Sequence, residues 1–176
     1  VHVLTTSGST AMPLAVNRSA IAVYFWNVFT LREAIWHGYD LSGKLAAIRI
    51  DWQRPAGTTG LYAKRYENWG PPFAAIYPTG PAAVLDVRHC TIADQAKWLH
   101  DEAPSHLVGF GVNLKVLARY CMEHGIRVPS LRTVYSQGEV LGDAARAACR
   151  EAWGVEAVDN YSAVEAGQLA FQCPEH

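Results

Sequence analysis

The residues with the clearest chemical potential form a hydroxyl-rich segment near the start of the chain. Positions 5–10 read Thr5-Thr6-Ser7-Gly8-Ser9-Thr10 and follow the mostly apolar run 1–4 directly. A turn of this composition can present hydroxyl and backbone N–H donors together, which is how a loop binds phosphate with few cations. Ordinary surface turns use the same residue types, and the segment lacks the Gly-Lys-Ser/Thr of a Walker P-loop.

Two further polar clusters follow predicted strands in the second half of the chain. Gln137, Gly138 and Glu139 come after the stretch 131–136, and the series Asp159-Asn160-Tyr161-Ser162, with Glu165 beyond it, comes after 155–158. In an open α/β sheet, ligands bind beyond the carboxyl ends of the strands. We therefore expect these two clusters and the hydroxyl-rich segment to converge on one cleft.

The elements that must position these clusters alternate between short apolar runs and amphipathic stretches. This alternation predicts βαβ units, and hence an α/β fold with a mainly parallel sheet flanked by helices. We assign residues 1–176 to a single α/β subdomain. Strands are predicted at 44–50, 82–87, 106–110, 131–136 and 155–159, and helices at 17–37, 91–102, 113–124 and 142–153.

Two stretches carry most of the aromatic residues. In the helix at 17–37, Ile21, Tyr24, Phe25 and Ile35 recur at helical spacing with Val28 and Leu31, which predicts that this face packs in the core. Residues 51–81 have no periodicity and many Pro and Gly, which is unusual for a loop inside a compact domain. An acyl pocket or lid and a surface meander are equally consistent with that stretch.

Composition excludes several classes of protein. The chain has 176 residues, 50% of them hydrophobic, and 15 Lys and Arg against 16 Asp and Glu. Such a chain should be folded, and without a basic face neither nucleic acid nor an anionic membrane is expected as a partner. Its four dispersed cysteines are typical of reduced thiols in a cytoplasmic protein. Since the chain starts on a predicted buried strand without Met, we expect it to belong to a longer protein.

Taken together, three elements resemble the adenylate-forming (AMP-binding) superfamily. They are the Thr6–Thr10 loop, Ser136-Gln137-Gly138-Glu139 and Asp159–Gly167, in that order. The resemblance is strongest to the phenylacetate-CoA ligase branch and its capsular-polysaccharide CapK-like relatives. Gly109-Phe110 and the stretch from Leu117-Ala118-Arg119-Tyr120 to His124-Gly125-Ile126 match that branch as well.

The resemblance implies an enzyme that uses ATP, Mg²⁺ and coenzyme A to activate a carboxylic acid as acyl-AMP and transfer it to a thiol. An aryl or otherwise hydrophobic acid would be the substrate. Thr6, Ser7, Gly8, Ser9 and Thr10 would hold the phosphates, with Thr10 and Glu165 as catalytic residues and Glu165 as the Mg²⁺ ligand. Tyr161 would stack on adenine, and the nucleotide site would be completed by Gln137, Gly138, Glu139, Asp159, Asn160 and Ser162.

Several positions depart from the family pattern. Ala11 replaces a glycine of the loop, Leu14 stands where many relatives have Lys, Ser162 replaces Gly, and Val164 replaces a hydroxyl or Arg side chain. Removal of one donor aimed at developing charge costs about 3 kcal/mol in other enzymes, so activity could be reduced. The Cys173–His176 stretch resembles a family zinc motif, but it cannot supply the four ligands of a closed site.

Alternatives therefore stay open. The chain could be a non-catalytic nucleotide-binding or interaction module with a degenerate site, or an unrelated α/β transferase with a serine-rich phosphate loop. Glu165 could be a solvated acid, Tyr161 a core aromatic, and Glu139 a carboxylate that serves the first turn of the following helix. By itself the 176-residue chain is not expected to form adenylates, because the family's later ribose-binding Asp, Arg and catalytic Lys lie beyond the matched region. A homo-oligomer is not excluded.

Overall fold

The protein was analysed as a computed structural model, which describes residues 2–5, 15–163 and 165–175. The Thr6–Thr10 loop, Ala11, Leu14, Val164 and His176 lie outside the described residues. The strands are β1 His2–Thr5, β2 Ala15–Arg18, β3 Leu45–Arg49, β4 Ala63–Tyr66, β5 Ala82–Asp86, β6 His106–Gly109, β7 Thr133–Ser136, β8 Ala157–Ala163 and β9 Gly167–Phe171. The helices are α1 Ala20–Trp36, α2 Ile92–Glu102, α3 Gly111–Glu123 and α4 Asp143–Trp153, with a 3₁₀ turn at Phe73–Ala75.

Seven strands form the main sheet, in the order β4-β5-β3-β6-β7-β8-β9. The five central strands are parallel, and β4 and β9 join the two edges antiparallel. This confirms the predicted mainly parallel α/β fold. β1 and β2 pair antiparallel in a separate two-stranded sheet. The prediction missed β2, β4 and β9, because these short strands are largely exposed and lack a continuous apolar run.

One continuous hydrophobic core lies between the sheet and helices α2, α3 and α4. Strand residues pointing to this face are fully buried because the crossover helices cover them, as is usual in parallel sheets. Helix α2 starts with a capping box between Thr91 and Asp94, and α4 ends at Gly154 in the left-handed conformation. The largest fully buried apolar side chains here are Ile48, Leu85, Leu99, Leu107, Leu114, Leu117 and Val134.

Helix α1 does not bury the face that its periodicity predicted. Ile21 and Ile35 are 65% and 63% exposed, and Tyr24 and Phe25 are exposed as well, whereas Glu33 is buried. The prediction of core packing for these apolar side chains was wrong. A helix that is apolar on nearly every side has no preferred face, so contacts with the sheet decide its rotation.

Residues 51–81 are anchored to the rest of the fold by side-chain contacts in both halves of the segment. The guanidinium of Arg54 donates to Asp86 Oδ2 at 3.3 Å and to the Thr58 carbonyl at 2.8 Å, which holds the first half against the end of β5. In the second half, the Trp69 ring packs edge-on against His106, with 4.9 Å between centroids. The segment also contributes β4, which pairs with β5, and the 3₁₀ turn.

In the described part of the chain, no helix combines the length and the apolar character needed to cross a bilayer.

Candidate functional site

The carboxyl ends of three adjacent parallel strands line up at one edge of the sheet. Gly109 of β6 pairs with Ser136 of β7, and Ser136 pairs with Asp159 of β8. The backbone N–H of Gln137 then donates to the Gly109 carbonyl at 3.0 Å, which continues this ladder one residue further. The two polar clusters of the second half of the chain therefore share one edge, as the sequence predicted.

The segment after β7 closes onto the start of α3. Gly138 has a φ of +74°, and a Cβ at this position would lie 3.3 Å from the Phe110 ring, so glycine allows the close approach. Glu139 Oε2 accepts a hydrogen bond from the Val112 backbone N–H at 3.0 Å. This carboxylate therefore pairs with the first turn of α3. The alternative, in which it serves the first turn of the following helix α4, is wrong. A carboxylate is favourable there because the first N–H groups of a helix lack partners.

Strand β8 extends beyond the parallel part of the sheet and pairs there with β9. Tyr161 and Ser162 lie within this extension and not past the strand end, because β9 prolongs the pairing with an irregularity at these two residues. The Tyr161 side chain is 65% exposed. It is therefore not a core aromatic, and its ring is accessible to a ligand.

Asp159 is positioned by the start of the loop before α4. Its Oδ2 accepts a hydrogen bond from the Leu141 backbone N–H at 3.4 Å and lies 3.9 Å from Nη2 of Arg146. Its Oδ1 is buried and has no hydrogen-bond partner among the described residues. Buried acceptors in proteins are normally paired, so this atom is a candidate partner for a water or for a ligand hydroxyl.

Asn160 faces the opposite side of the sheet. Its side chain is buried and its Nδ2 donates to Gln168 Oε1 at 2.9 Å and to Glu33 Oε2 at 3.4 Å. Tyr135 donates its hydroxyl to the same Glu33 oxygen at 2.8 Å. Burial raises the pKa of Glu33 from 4.5 to about 7, while the two hydrogen bonds favour the charged form and limit the rise.

Glu165 lies in the turn between β8 and β9 and is exposed. A carboxylate at this position could bind Mg²⁺, which prefers oxygen ligands and retains several waters. Within the described residues, no group of three His, Cys, Asp or Glu side chains converges on a common point. Both interpretations of Glu165, as a metal ligand and as a solvated acid, therefore remain open.

The hairpin that flanks the hydroxyl-rich loop lies next to the end of β8. Arg18, the last residue of β2, donates from Nη2 to the Ala163 carbonyl at 3.5 Å, and its guanidinium lies 4.3 Å from the Trp26 ring centroid. Residues 6–14 join β1 to β2, and Ala15 stands about 10 Å of strand away from Arg18. The hairpin on either side of residues 6–14 is thus held at Arg18 against the end of β8.

An apolar groove of about 410 Å³ lies between α1 and this turn. The Trp26 ring forms one wall and packs on Gly167, where a Cβ would come within 3.4 Å of the ring. A φ of +88° at Gly167 also requires glycine. The lining residues are Ala22, Phe25, Trp26, Phe29, Ala166, Gly167 and Gln168.

Sequence reasoning missed three residues that organise this region, namely Arg18, Glu33 and Tyr135. Arg18 gave no signal, because a single cation after a short strand is common. Glu33 did give one, since it is the only acid in the apolar helix Ala20–Trp36. An acid in such a helix is either on the outer face or paired in the interior, and the pattern could have marked it for attention.

Comparison with known proteins identifies the fold. Neither a protein-family model nor a curated protein matches the sequence. VinN superposes on 98% of this chain with a TM-score of 0.65 and 18% identity. A 2-hydroxyisobutyryl-CoA ligase in complex with 2-HIB-AMP and CoA also matches 98%, with a TM-score of 0.60 and 17% identity. The amide bond synthetase McbA from Marinactinospora thermotolerans matches 98% as well, with a TM-score of 0.60 and 20% identity.

The chain has the fold of these enzymes. It spans 39%, 37% and 31% of the three structures, respectively, so the match covers a part of each of them. One of the three is a CoA ligase and another is an amide bond synthetase. The expected fold class is thus confirmed, and the structural neighbours belong to the expected superfamily.

Proposed function

We propose that this chain is the nucleotide-binding part of an ATP-dependent carboxylate ligase, which activates an acid as acyl-AMP and transfers it to a thiol such as coenzyme A. The hydrogen bond between Arg18 and the Ala163 carbonyl carries the proposal, since it joins the hairpin of the hydroxyl-rich loop to the strand end that bears Tyr161. Adenylation requires phosphate ligands and an adenine site at one place, and this contact supports that arrangement.

Each part of the nucleotide has a candidate ligand. The exposed Tyr161 ring would stack on adenine, and the free Oδ1 of Asp159 would accept a hydrogen bond from a nucleotide hydroxyl or amine. Gln137, Gly138 and Ser162 would line the same site through their backbone and polar atoms, and Glu139 would hold its wall by its bond to α3. Asn160 would contribute indirectly, because its side chain faces α1.

The hydroxyl-rich loop would act on the phosphates. Thr6, Ser7, Gly8, Ser9 and Thr10 would bind the β- and γ-phosphates, and Thr10 would orient the α-phosphate for in-line attack by the acid's carboxylate oxygen as pyrophosphate leaves. Glu165 would hold Mg²⁺, and that ion, when bound, supplies positive charge against the phosphate oxygens. The donors lost at Leu14 and Val164 would make this site weaker than in typical ligases.

The apolar groove beside the β8–β9 turn is a candidate site for the hydrocarbon part of the acid. Its volume of about 410 Å³ is within the range of small-molecule pockets, and aromatic side chains of α1 line it. An aryl or other hydrophobic acid, as in the phenylacetate-CoA ligase branch, would fit. The neighbours differ in their acceptor, since one was solved with CoA and another is an amide bond synthetase.

Calorimetric titration of the chain with ATP·Mg²⁺ tests the nucleotide site. Tyr161→Ala should weaken binding by about tenfold, because stacking of a base on an aromatic ring is worth about 1–3 kcal/mol. Tyr66→Ala is the matched control, since Tyr66 is 44% exposed on β4 at the other edge of the sheet. Equal losses in both variants, or no binding to the unmodified chain, would refute the assignment of the site.

Pyrophosphate exchange distinguishes the ligase from a binding module. The natural polypeptide that contains this chain should exchange labelled pyrophosphate into ATP only when a carboxylic acid is present, and aryl acids should be the most effective. Binding of ATP without exchange for any acid tested would favour the non-catalytic module instead.

A further inference from the structure

An exposed indole ring lies on the turn that follows strand β3. The Trp52 side chain is 80% exposed, more than any other aromatic side chain in the described part of the chain. Tryptophan is a large side chain that is highly buried on average in folded proteins. Most of the Trp52 surface is instead open to a ligand.

The turn that carries Trp52 is fixed by hydrogen bonds. Asp51 Oδ1 accepts from the Gln53 backbone N–H at 2.9 Å, and the Asp51 carbonyl accepts from the Arg54 backbone N–H at 3.1 Å. Nη2 of Arg88 donates to the same carbonyl at 2.6 Å, which ties the turn to the segment after β5. A binding residue that is held in place before the ligand arrives loses less conformational freedom on binding, and this favours affinity.

Three arginines lie beside one carboxylate next to this turn. Asp86 Oδ2 accepts from Nη1 of Arg54 at 3.3 Å and from Nη2 of Arg88 at 2.8 Å, so a single acid serves two guanidinium groups. Arg49 is the register partner of Asp86 in β3 and β5, so both side chains leave the same face of the sheet. The Arg49 side chain is exposed, and it makes no hydrogen bond or ion pair with another described residue.

The other charged groups near the turn do not remove this excess of positive charge. Lys64 Nζ lies 3.1 Å from Asp51 Oδ2, so the charges of this ion pair cancel. Asp94 adds one negative charge, but its carboxylate accepts hydrogen bonds from Thr91 in the capping box of α2. The cluster therefore keeps a net positive charge.

The exposed ring and the exposed cations are neighbours. The Arg88 side chain is 38% exposed, and its guanidinium carbon lies 5.9 Å from the centroid of the Trp52 ring. Proteins bind nucleotides by stacking bases on aromatic side chains next to positive charge, and guanidinium groups suit phosphate. The arrangement fits a nucleotide whose base stacks on Trp52 and whose phosphates contact Arg49 and Arg88.

This cluster lies on the same edge of the sheet as the candidate ATP site. Arg49 ends β3, and Asp159 lies at the end of the parallel part of β8. The two strands are three positions apart in the sheet, which corresponds to about 14 Å. A ligand at Trp52 would therefore be separate from a nucleotide at Asp159 and Tyr161.

We propose that Trp52, Arg49 and Arg88 form a second nucleotide site, which binds the 3′-phosphorylated ADP end of coenzyme A. This inference rests on the proposed function, because it identifies the acceptor of the acyl group. Coenzyme A carries its thiol at one end of a long pantetheine arm and its nucleotide at the other. The thiol can reach an acyl-AMP only if the nucleotide end is held some distance away, and the separation of the two sites meets this requirement.

Calorimetric titration of the whole chain with adenosine 3′,5′-bisphosphate tests the inference. Trp52→Ala should weaken binding of this probe by about tenfold through loss of stacking, and Trp52→Phe, which keeps an aromatic ring, should weaken it much less. Arg49→Gln should weaken binding by about threefold, because an exposed charge contributes modestly. Arg119→Gln is the matched control, since it removes an exposed cation from the second half of α3 and should have no effect.

The same variants separate this site from the ATP site. Trp52→Ala should leave the affinity for ATP·Mg²⁺ unchanged, and Tyr161→Ala should leave the affinity for the bisphosphate unchanged. No binding of the bisphosphate, or binding that Trp52→Ala does not weaken, would overturn the inference and leave the ATP site intact. Equal losses for the bisphosphate in Tyr161→Ala and Trp52→Ala would also overturn it, since the probe would then occupy the adenine site. Absence of ATP·Mg²⁺ binding to the unmodified chain would overturn the proposed function and this inference with it.

Discussion

Replacement of Glu33 by Gln should remove a pH dependence from the stability of the fold. Burial raises the pKa of this carboxyl from 4.5 to about 7 in the folded protein. Between these two values the folded chain binds more protons than the unfolded chain, so the free energy of unfolding falls as the pH rises. The stabilisation is fully present below the unfolded pKa of 4.5 and is lost as the pH rises through about 7. The Glu33→Gln variant carries an amide at this position, which has no proton to lose over this range.

The size of the effect follows from the same two values. A tenfold change in the acid dissociation constant corresponds to about 1.4 kcal/mol, so the interval from 4.5 to about 7 corresponds to about 3 kcal/mol. Because the side chain is 3% exposed, solvent screening requires little reduction of this value. If the free energy of unfolding falls by about 2–3 kcal/mol per molar urea, the urea concentration at the midpoint of unfolding should shift by about 1 M.

The assay is urea unfolding followed by tryptophan fluorescence, at several pH values between about 5 and 8, for both forms of the protein. The difference between their unfolding free energies should move in favour of Glu33→Gln as the pH rises. Other titrating groups affect both forms and cancel. The amide of the variant also places an NH₂ group at the position of Oε1, an atom without a partner among the described residues. This adds a pH-independent offset to the difference in unfolding free energy.

A difference that stays constant over this pH range would refute the reasoning, since it would mean that Glu33 ionises as readily in the folded as in the unfolded chain. Glu123→Gln, which replaces an exposed acid of α3, is the matched control.

The remaining predictions concern stability. Asp86→Asn should reduce the free energy of unfolding by about 3–5 kcal/mol, because Arg54 would remain buried without its counter-charge, and urea unfolding at neutral pH measures this loss. Asp101→Asn, which breaks an exposed pair, should have a much smaller effect, and comparable losses would contradict the argument. Gly80→Ala should lower the melting temperature, because its Cβ would clash with the Ser42 carbonyl oxygen, and an unchanged melting temperature would contradict that contact.

The parallel core of the fold could be predicted from the sequence because local patterns determine it. Strands β3 and β5 are short, mostly apolar and mostly buried, and such runs differ clearly from the amphipathic helices that follow in the chain. Helix ends were predictable for the same reason, since Gly154 and the Thr91–Asp94 capping box act within one helical turn.

The orientation of α1 could not be predicted in this way. Its sequence is apolar on several sides, so the position of Glu33 in the interior depends on partners more than 100 positions later, Tyr135 and Asn160. Strand β9 is a similar case, because the exposed stretch Gly167–Phe171 forms a strand only through pairing with the extension of β8. Long-range pairing of this kind leaves no periodic signal in a single sequence.

The sequence by itself determined the chemical inventory and its order along the chain: hydroxyls first, then Gln137–Glu139, then an aromatic residue and acids near the end of the last predicted strand. Only the tertiary structure decided the direction of each side chain along β8, with Tyr161 exposed, Asp159 directed at the start of α4 and Asn160 buried against α1. The physical reason is that burial and hydrogen bonding depend on neighbours that are distant in the chain. The spacing of residues within one strand specifies only which of them share a face.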